Sequence, residues 1–190
     1  MSKSTLYRLS ALAGILSGAC IILGKLLIPL PNRQIGEIFD FFSPFFGLLF
    51  LVGLYLGQRK ESGTFGGIAF IVLFFGLTTV VSLDYIGAFI VPYLPNGMVD
   101  QLLEGPTGVV YMISGLTFLI GEILFGISVI RAEIYSKIAA ILFLVGMFTI
   151  PLGSIFPEVV VVIGSIIAGV AFIWWGAELY KLAGRFADTD

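Results

Sequence analysis

The sequence predicts an all-α membrane protein, a bundle of six transmembrane helices with short loops and both termini in the cytoplasm. Three observations carry that expectation. Of 190 residues, 58% are hydrophobic and only 12% charged, with a mean hydropathy of +1.09; a soluble domain holds about twice that share of charge. The apolar residues come in blocks long enough for a bilayer core rather than in periodic stripes. The charges collect between the blocks, and the basic ones fall in alternate gaps.

The first span is expected over 9–30, behind Lys3 and Arg8. Leu16-Ser17-Gly18-Ala19-Cys20 approaches a lipoprotein cleavage box, but the leucine stands one place too far from the cysteine and the apolar run continues through Ile21, Ile22 and Leu23. A retained span is therefore predicted. Gly14 and Gly18, four apart, offer a close approach to a second helix, and Lys25 is expected to snorkel to the headgroups. After a polar stretch over 31–40, Ser43-Pro44 reads as an N-cap and first-turn proline for a second span over 41–57. A charged turn, Gln58 to Gly63, leads to a third span over 64–83.

The apolar run from Thr64 to Leu94 is too long for one straight span, so 84–107, broken by Pro92, Pro95, Asn96 and Gly97, reads as an outer cap with a short amphipathic helix over 98–104. The fourth span, 109–130, is a near-continuous apolar run interrupted only by Glu122 and closed by Arg131. A tight charged hairpin follows, in which Ser136 is the expected N-cap of a fifth span over 138–156. Pro151, Gly153 and Pro157 leave room for only a short turn before the sixth span, 158–180, whose Trp174, Trp175 and Tyr180 suit an interfacial aromatic belt. The chain, 1–190, then forms a single helical domain.

Six spans put Lys3, Arg8, Arg59, Lys60, Arg131, Lys137, Lys181 and Arg185 on one side, eight of the ten basic residues. The positive-inside bias makes that side cytoplasmic, whereas an odd number of spans would split the basic loops. Gly47-Leu-Leu-Phe-Leu-Val-Gly53 is echoed by Gly115-Leu-Thr-Phe-Leu-Ile-Gly121, and Gly169-Val-Ala-Phe-Ile173 repeats its first half; a Gly-, Leu- and Phe-rich chain also produces such echoes by chance.

Several chemistries are disfavoured. The chain has no histidine and one cysteine, which removes the commonest base, metal ligand and haem ligand and any intrachain disulfide. No Ser-His-Asp set, His-Glu-x-x-His, Cys-x-x-Cys, phosphate-binding loop or pair of intramembrane aspartates occurs. A net charge of −2 without a basic cluster argues against nucleic acid. No catalytic residue, cofactor or metal site is expected.

Glu122 is the candidate intramembrane polar site, because an acid inside a span costs about 2.5–3.5 kcal/mol on insertion scales and must face protein or water. It is either a proton or cation site, or a hydrogen-bonded contact joining two helices. Glu178, one turn from Lys181, is expected to be a solvated interfacial residue. Asp84 reads as the exit of the third helix or, with Tyr85, Asp100 and Glu104, and with Tyr93 and Tyr111 nearby, as an outer vestibule attractive to cations.

The stretch Gly121-Glu-Ile-Leu-Phe-Gly-Ile-Ser-Val-Ile-Arg-Ala132, followed by Ile138-Ala-Ala-Ile-Leu142, resembles small multi-span bacterial integral membrane proteins of unknown function. The resemblance covers about a third of the chain; it implies a bacterial integral membrane protein and carries no activity or site. The leading expectation is a non-enzymatic scaffold or accessory subunit that packs through its glycine faces against the lipid bilayer and a partner membrane subunit or a second copy. The alternative is a small transporter or channel-like carrier with Glu122 as its proton or cation site.

Overall fold

A computed structural model describes residues 3–27, 33–153 and 155–188. Every regular element among them is helical: α1 (Lys3–Leu27), α2 (Arg33–Phe89), a 3-10 turn (Val91–Tyr93), α3 (Met98–Leu103), α4 (Pro106–Ala132), α5 (Lys137–Met147) and α6 (Glu158–Asp188). Four helical stretches are long and apolar enough to cross a membrane: Lys3–Leu27, Gln34–Tyr93, Pro106–Ala132 and Glu158–Arg185. Positions 28–30 of the expected first span lie outside the described residues.

The expected second and third spans form one element, α2, because the charged turn between them shrinks to a single residue. Gly63 has φ 56° and ψ −152°, a backbone conformation open essentially to glycine alone, and both arms are helical up to it. The arms fold back on each other: Tyr55 stacks on Phe70 at 4.5 Å between ring centroids, and Phe41 meets Phe89 at 5.5 Å. Gln58 to Ser62 are thus helix rather than loop. Pro44 lies inside the helix instead of at its start, since Ile35, Ile38 and Phe39 extend the apolar run backwards; beside it, Ser17 Oγ of α1 donates to the Ser43 carbonyl at 2.8 Å.

Two further boundaries differ. Helix α2 continues to Phe89, so Asp84 and Tyr85 stand on its last turns rather than in a separate cap. Ser136 does cap α5, accepting from the Ala139 amide at 3.3 Å, but the helix ends at Met147, nine residues before the expected 156. Proline at 151 has no amide proton and keeps its predecessor out of the helical region. The chain continues as hydrogen-bonded turns, Thr149 to Gly146, Ile150 to Met147 and Gly153 to Ile150.

Small residues set the packing. A Cβ on Gly18 would collide with the Gly169 carbonyl of α6, whereas Gly14 faces the ring of Phe50 on α2, so the two glycines of α1 serve different neighbours. The second arm of α2 runs antiparallel to α4 with glycine on alternating sides, Gly76 against the backbone of Phe118 and Gly121 against the backbone of Leu73. Leu144 of α5 fills the space over Gly126, and Gly146 meets Gly164 and Ala168 of α6. The helices close into a circuit of α1, the two arms of α2, α4, α5 and α6, with apolar Leu, Ile, Val and Phe side chains exposed around the outside. The echoing glycines meet unlike surroundings: Gly53 faces Ser10, Gly121 faces Leu73, and Gly115 has no atom near it.

Candidate functional site

Glu122 points into the middle of this circuit. Leu73 lies against Gly121 because the glycine has no side chain to hold the two backbones apart, and the close approach seals Glu122 from the outside. Its side chain is 2% exposed. Neither carboxyl oxygen has a hydrogen-bond partner among the described residues.

The carboxyl borders a cavity of about 30 Å³ lined by both arms of α2, α4, α5 and α6. The walls are apolar: Leu54, Leu77, Phe118, Phe143, Met147 and Trp175 are representative, with the Met147 thioether the one sulfur, and Glu122 is the one titratable side chain lining the cavity among the described residues. A space of this size holds water-sized occupants. A metal ion would need a shell of oxygen, nitrogen or sulfur in place of its hydration, which these walls do not supply. No group of three His, Cys, Asp or Glu able to hold a metal occurs among the described residues.

Four more side chains among the described residues hold buried, unpartnered polar atoms: Ser10, fully buried beside Gly53, and, towards the Gly63 end, Gln58, fully buried with both amide atoms unbonded, Ser128, also fully buried, and the covered hydroxyl of half-buried Ser62. Gln58 is one turn beyond the cavity-lining Leu54 on the same face of α2. The hydroxyls of Ser62 and Ser128 both crowd the Cα of Gly66. Reading 58–63 as a loop hid Gln58; its spacing of seven from Leu51 and four from Leu54 is the signal that places it on the interior face.

The four residues expected to share an outer vestibule occupy two places. Asp84 lies within electrostatic reach of Asp40 and Lys25, a pair joined at 2.6 Å between Nζ and Oδ2. Tyr85 beside it is exposed and packs on Phe41 and Phe89. Asp100 and Glu104 are exposed on α3 and just after it, and α3 packs on α4. Tyr93 and Tyr111 are also exposed. Lys25 is thus an ion-pair partner of Asp40. Glu178 is also committed: its Oε2 accepts from the Ser136 amide at 2.9 Å and its Oε1 from Trp174 Nε1 at 3.0 Å, tying α6 to the start of α5.

Comparison with protein-family models, curated proteins and solved structures finds no match.

Proposed function

We propose that the chain is a non-enzymatic integral membrane protein of the cell membrane, with six spans and both termini cytoplasmic, that acts as a small proton carrier with Glu122 as the proton-binding group. The observation that carries this reading is a buried carboxyl, unpartnered at both oxygens, on an apolar cavity of about 30 Å³. An acid joining two helices would be expected to hydrogen-bond across them, and this one bonds to neither neighbour. A proton needs a single carboxyl oxygen, whereas any other cation needs a coordination shell that the walls lack. The topology is supported by contacts at one end of the bundle: Arg8 lies over the Tyr180 ring at 5.9 Å, and Arg131 over Phe65, beside the Gly63 turn, at 5.1 Å. The turns after α5 keep their backbone hydrogen-bonded, as a crossing completed by irregular chain requires.

The test is proton uptake into proteoliposomes holding a pH-sensitive dye under an imposed potassium potential. Wild-type protein is expected to exceed the leak of empty vesicles, and Glu122→Gln to return the rate to that leak while eluting and melting like the wild type. Equal rates in the two proteins would remove the carrier reading.

One observation favours the accessory-subunit reading. Five consecutive residues at the start of α4, from Val109 to Ile113, are each 53–61% exposed, so the helix is bare on every side there. A photo-crosslinker placed at Val110 should then yield one discrete protein adduct from native membranes; lipid adducts alone would count against it.

A further inference from the structure

We infer that Glu122 exchanges its proton with one side only, through the end of the bundle where α2 turns at Gly63, along a water-bridged path of Gln58, Ser128 and Ser62. The inference rests on the carrier reading and adds the route and its direction.

Hydrogen bonding around Glu122 is asymmetric. From Glu122 towards Gly63 the interior holds unpartnered polar atoms: both amide atoms of Gln58 and the hydroxyls of Ser62 and Ser128. In the opposite direction no buried side-chain nitrogen or oxygen among the described residues is left unpartnered; Ser10, the remaining one, sits beside Gly53 between α1 and α2. Ser17 donates to the Ser43 carbonyl at 2.8 Å, Thr79 to Gly76 at 2.7 Å, and Ser165 to Val161 at 2.8 Å. The walls there are Leu77 and Phe118, which offer a proton nothing. Leaving a buried polar group unbonded costs about 1–3 kcal/mol, so several on one side of a single acid call for bridging partners. Water is the partner that fits, since bridging needs two to four polar atoms in reach.

The spacing suits short bridges. Ser128 lies six residues beyond Glu122 on the same helix, about 9 Å of rise. Gln58, one turn past Leu54 on the neighbouring arm, falls between these levels, and its amide can both donate and accept. The absence of a Cβ at Gly66 leaves room for the two serine hydroxyls at the far end. Glu122 is the one titratable side chain lining the cavity among the described residues, while Tyr135, bonded to the Leu54 carbonyl, and Arg131, over the Phe65 ring, flank the stripe at its Gly63 end.

The experiment reads the carboxyl itself. The carbonyl stretch of a protonated Glu122, identified by its loss in Glu122→Gln, is followed by infrared spectroscopy after transfer of the membranes into D2O. Gln58→Leu and, separately, Ser128→Ala are expected to slow its exchange on the order of tenfold, as removing one bridging hydrogen bond from the barrier would. Thr117→Val, on the opposite side of Glu122, should leave the rate unchanged. Ser128→Ala removes one small hydroxyl and keeps the inference testable should Gln58→Leu not fold. Exchange unaltered in every folded variant of Gln58 and Ser128, or slowed equally by Thr117→Val, would overturn it. Flux lost in Glu122→Gln with unaltered exchange in the path variants would retain the carrier and discard the route. Slowed exchange without flux would discard the carrier and retain the route.

Discussion

Lys25 and Asp40 meet across the contact between α1 and α2, Nζ to Oδ2 at 2.6 Å, with side chains only 22% and 20% exposed. Gly24 makes the approach possible, because a Cβ there would fall on the carboxyl group of Asp40. Asp84 on the returning arm of α2 lies in the same electrostatic neighbourhood. Lys25, Asp40 and Asp84 thus form one electrostatic cluster joining α1 to both arms of α2. Removing one partner strands the other charge at a largely covered site, so Lys25→Met is expected to destabilise by about 1–3 kcal/mol. Lys25→Met with Asp40→Asn should recover at least half of that loss. Thermal unfolding of the three variants in detergent supplies the cycle, and simple additivity of the two changes would show that the pair contributes nothing.

The crossing of α4 with the second arm of α2 predicts opposite outcomes for two glycines of one helix. A Cβ at Gly121 would stand 2.5 Å from the Cα of Leu73, and backbone cannot yield as a side chain can. Gly121→Ala should cost about 1–3 kcal/mol by overpacking and open the seal beside Glu122. Gly115 has nothing within 4 Å, and Gly115→Ala should be neutral or stabilising by up to about 1 kcal/mol through the helical preference of alanine. Melting temperatures that move together would show that this packing does not discriminate.

Much of the fold was legible because long helices able to cross a membrane announce themselves by length and apolarity, and because Ser136 and the break at Gly63 are local signals. Glu122 was legible as the lone acid of its span. Its cavity was not, since the walls come from residues as far apart as Leu54 and Trp175, which no local pattern connects. Gln58 was missed because its neighbours Arg59, Lys60 and Glu61 resemble a loop, whereas both arms stay helical up to a one-residue turn. Lys25 and Asp40 were read separately because their pairing depends on how α1 returns along α2. The early end of α5 shows the reverse: Pro151 stood in the sequence, but the apolar run around it outweighed its backbone effect in the reading.

Tyr135, in the turn between α4 and α5, gives the pH-dependent prediction. It is 3% exposed and donates to the Leu54 carbonyl at 3.3 Å, where α2 passes from the cavity wall to Gln58. Burial, with smaller contributions from Tyr7, Glu178 and Glu61, raises its hydroxyl well above the ordinary value of 10.0. The folded protein thus keeps this proton at a pH where the unfolded chain releases it. The associated stability is complete below about pH 10 and declines above it, at about 1.4 kcal/mol per pH unit, until the folded hydroxyl also ionises. Tyr135→Phe should lose about 1 kcal/mol at pH 8, the net worth of the hydrogen bond, yet fall less steeply than wild type between pH 10 and 11. Parallel wild-type and mutant melting curves across that interval would place the ionising group elsewhere. A phenol that stays neutral also keeps its bond to Leu54 in alkaline conditions, so the turn that holds Gln58 beside the cavity should persist until the protein unfolds.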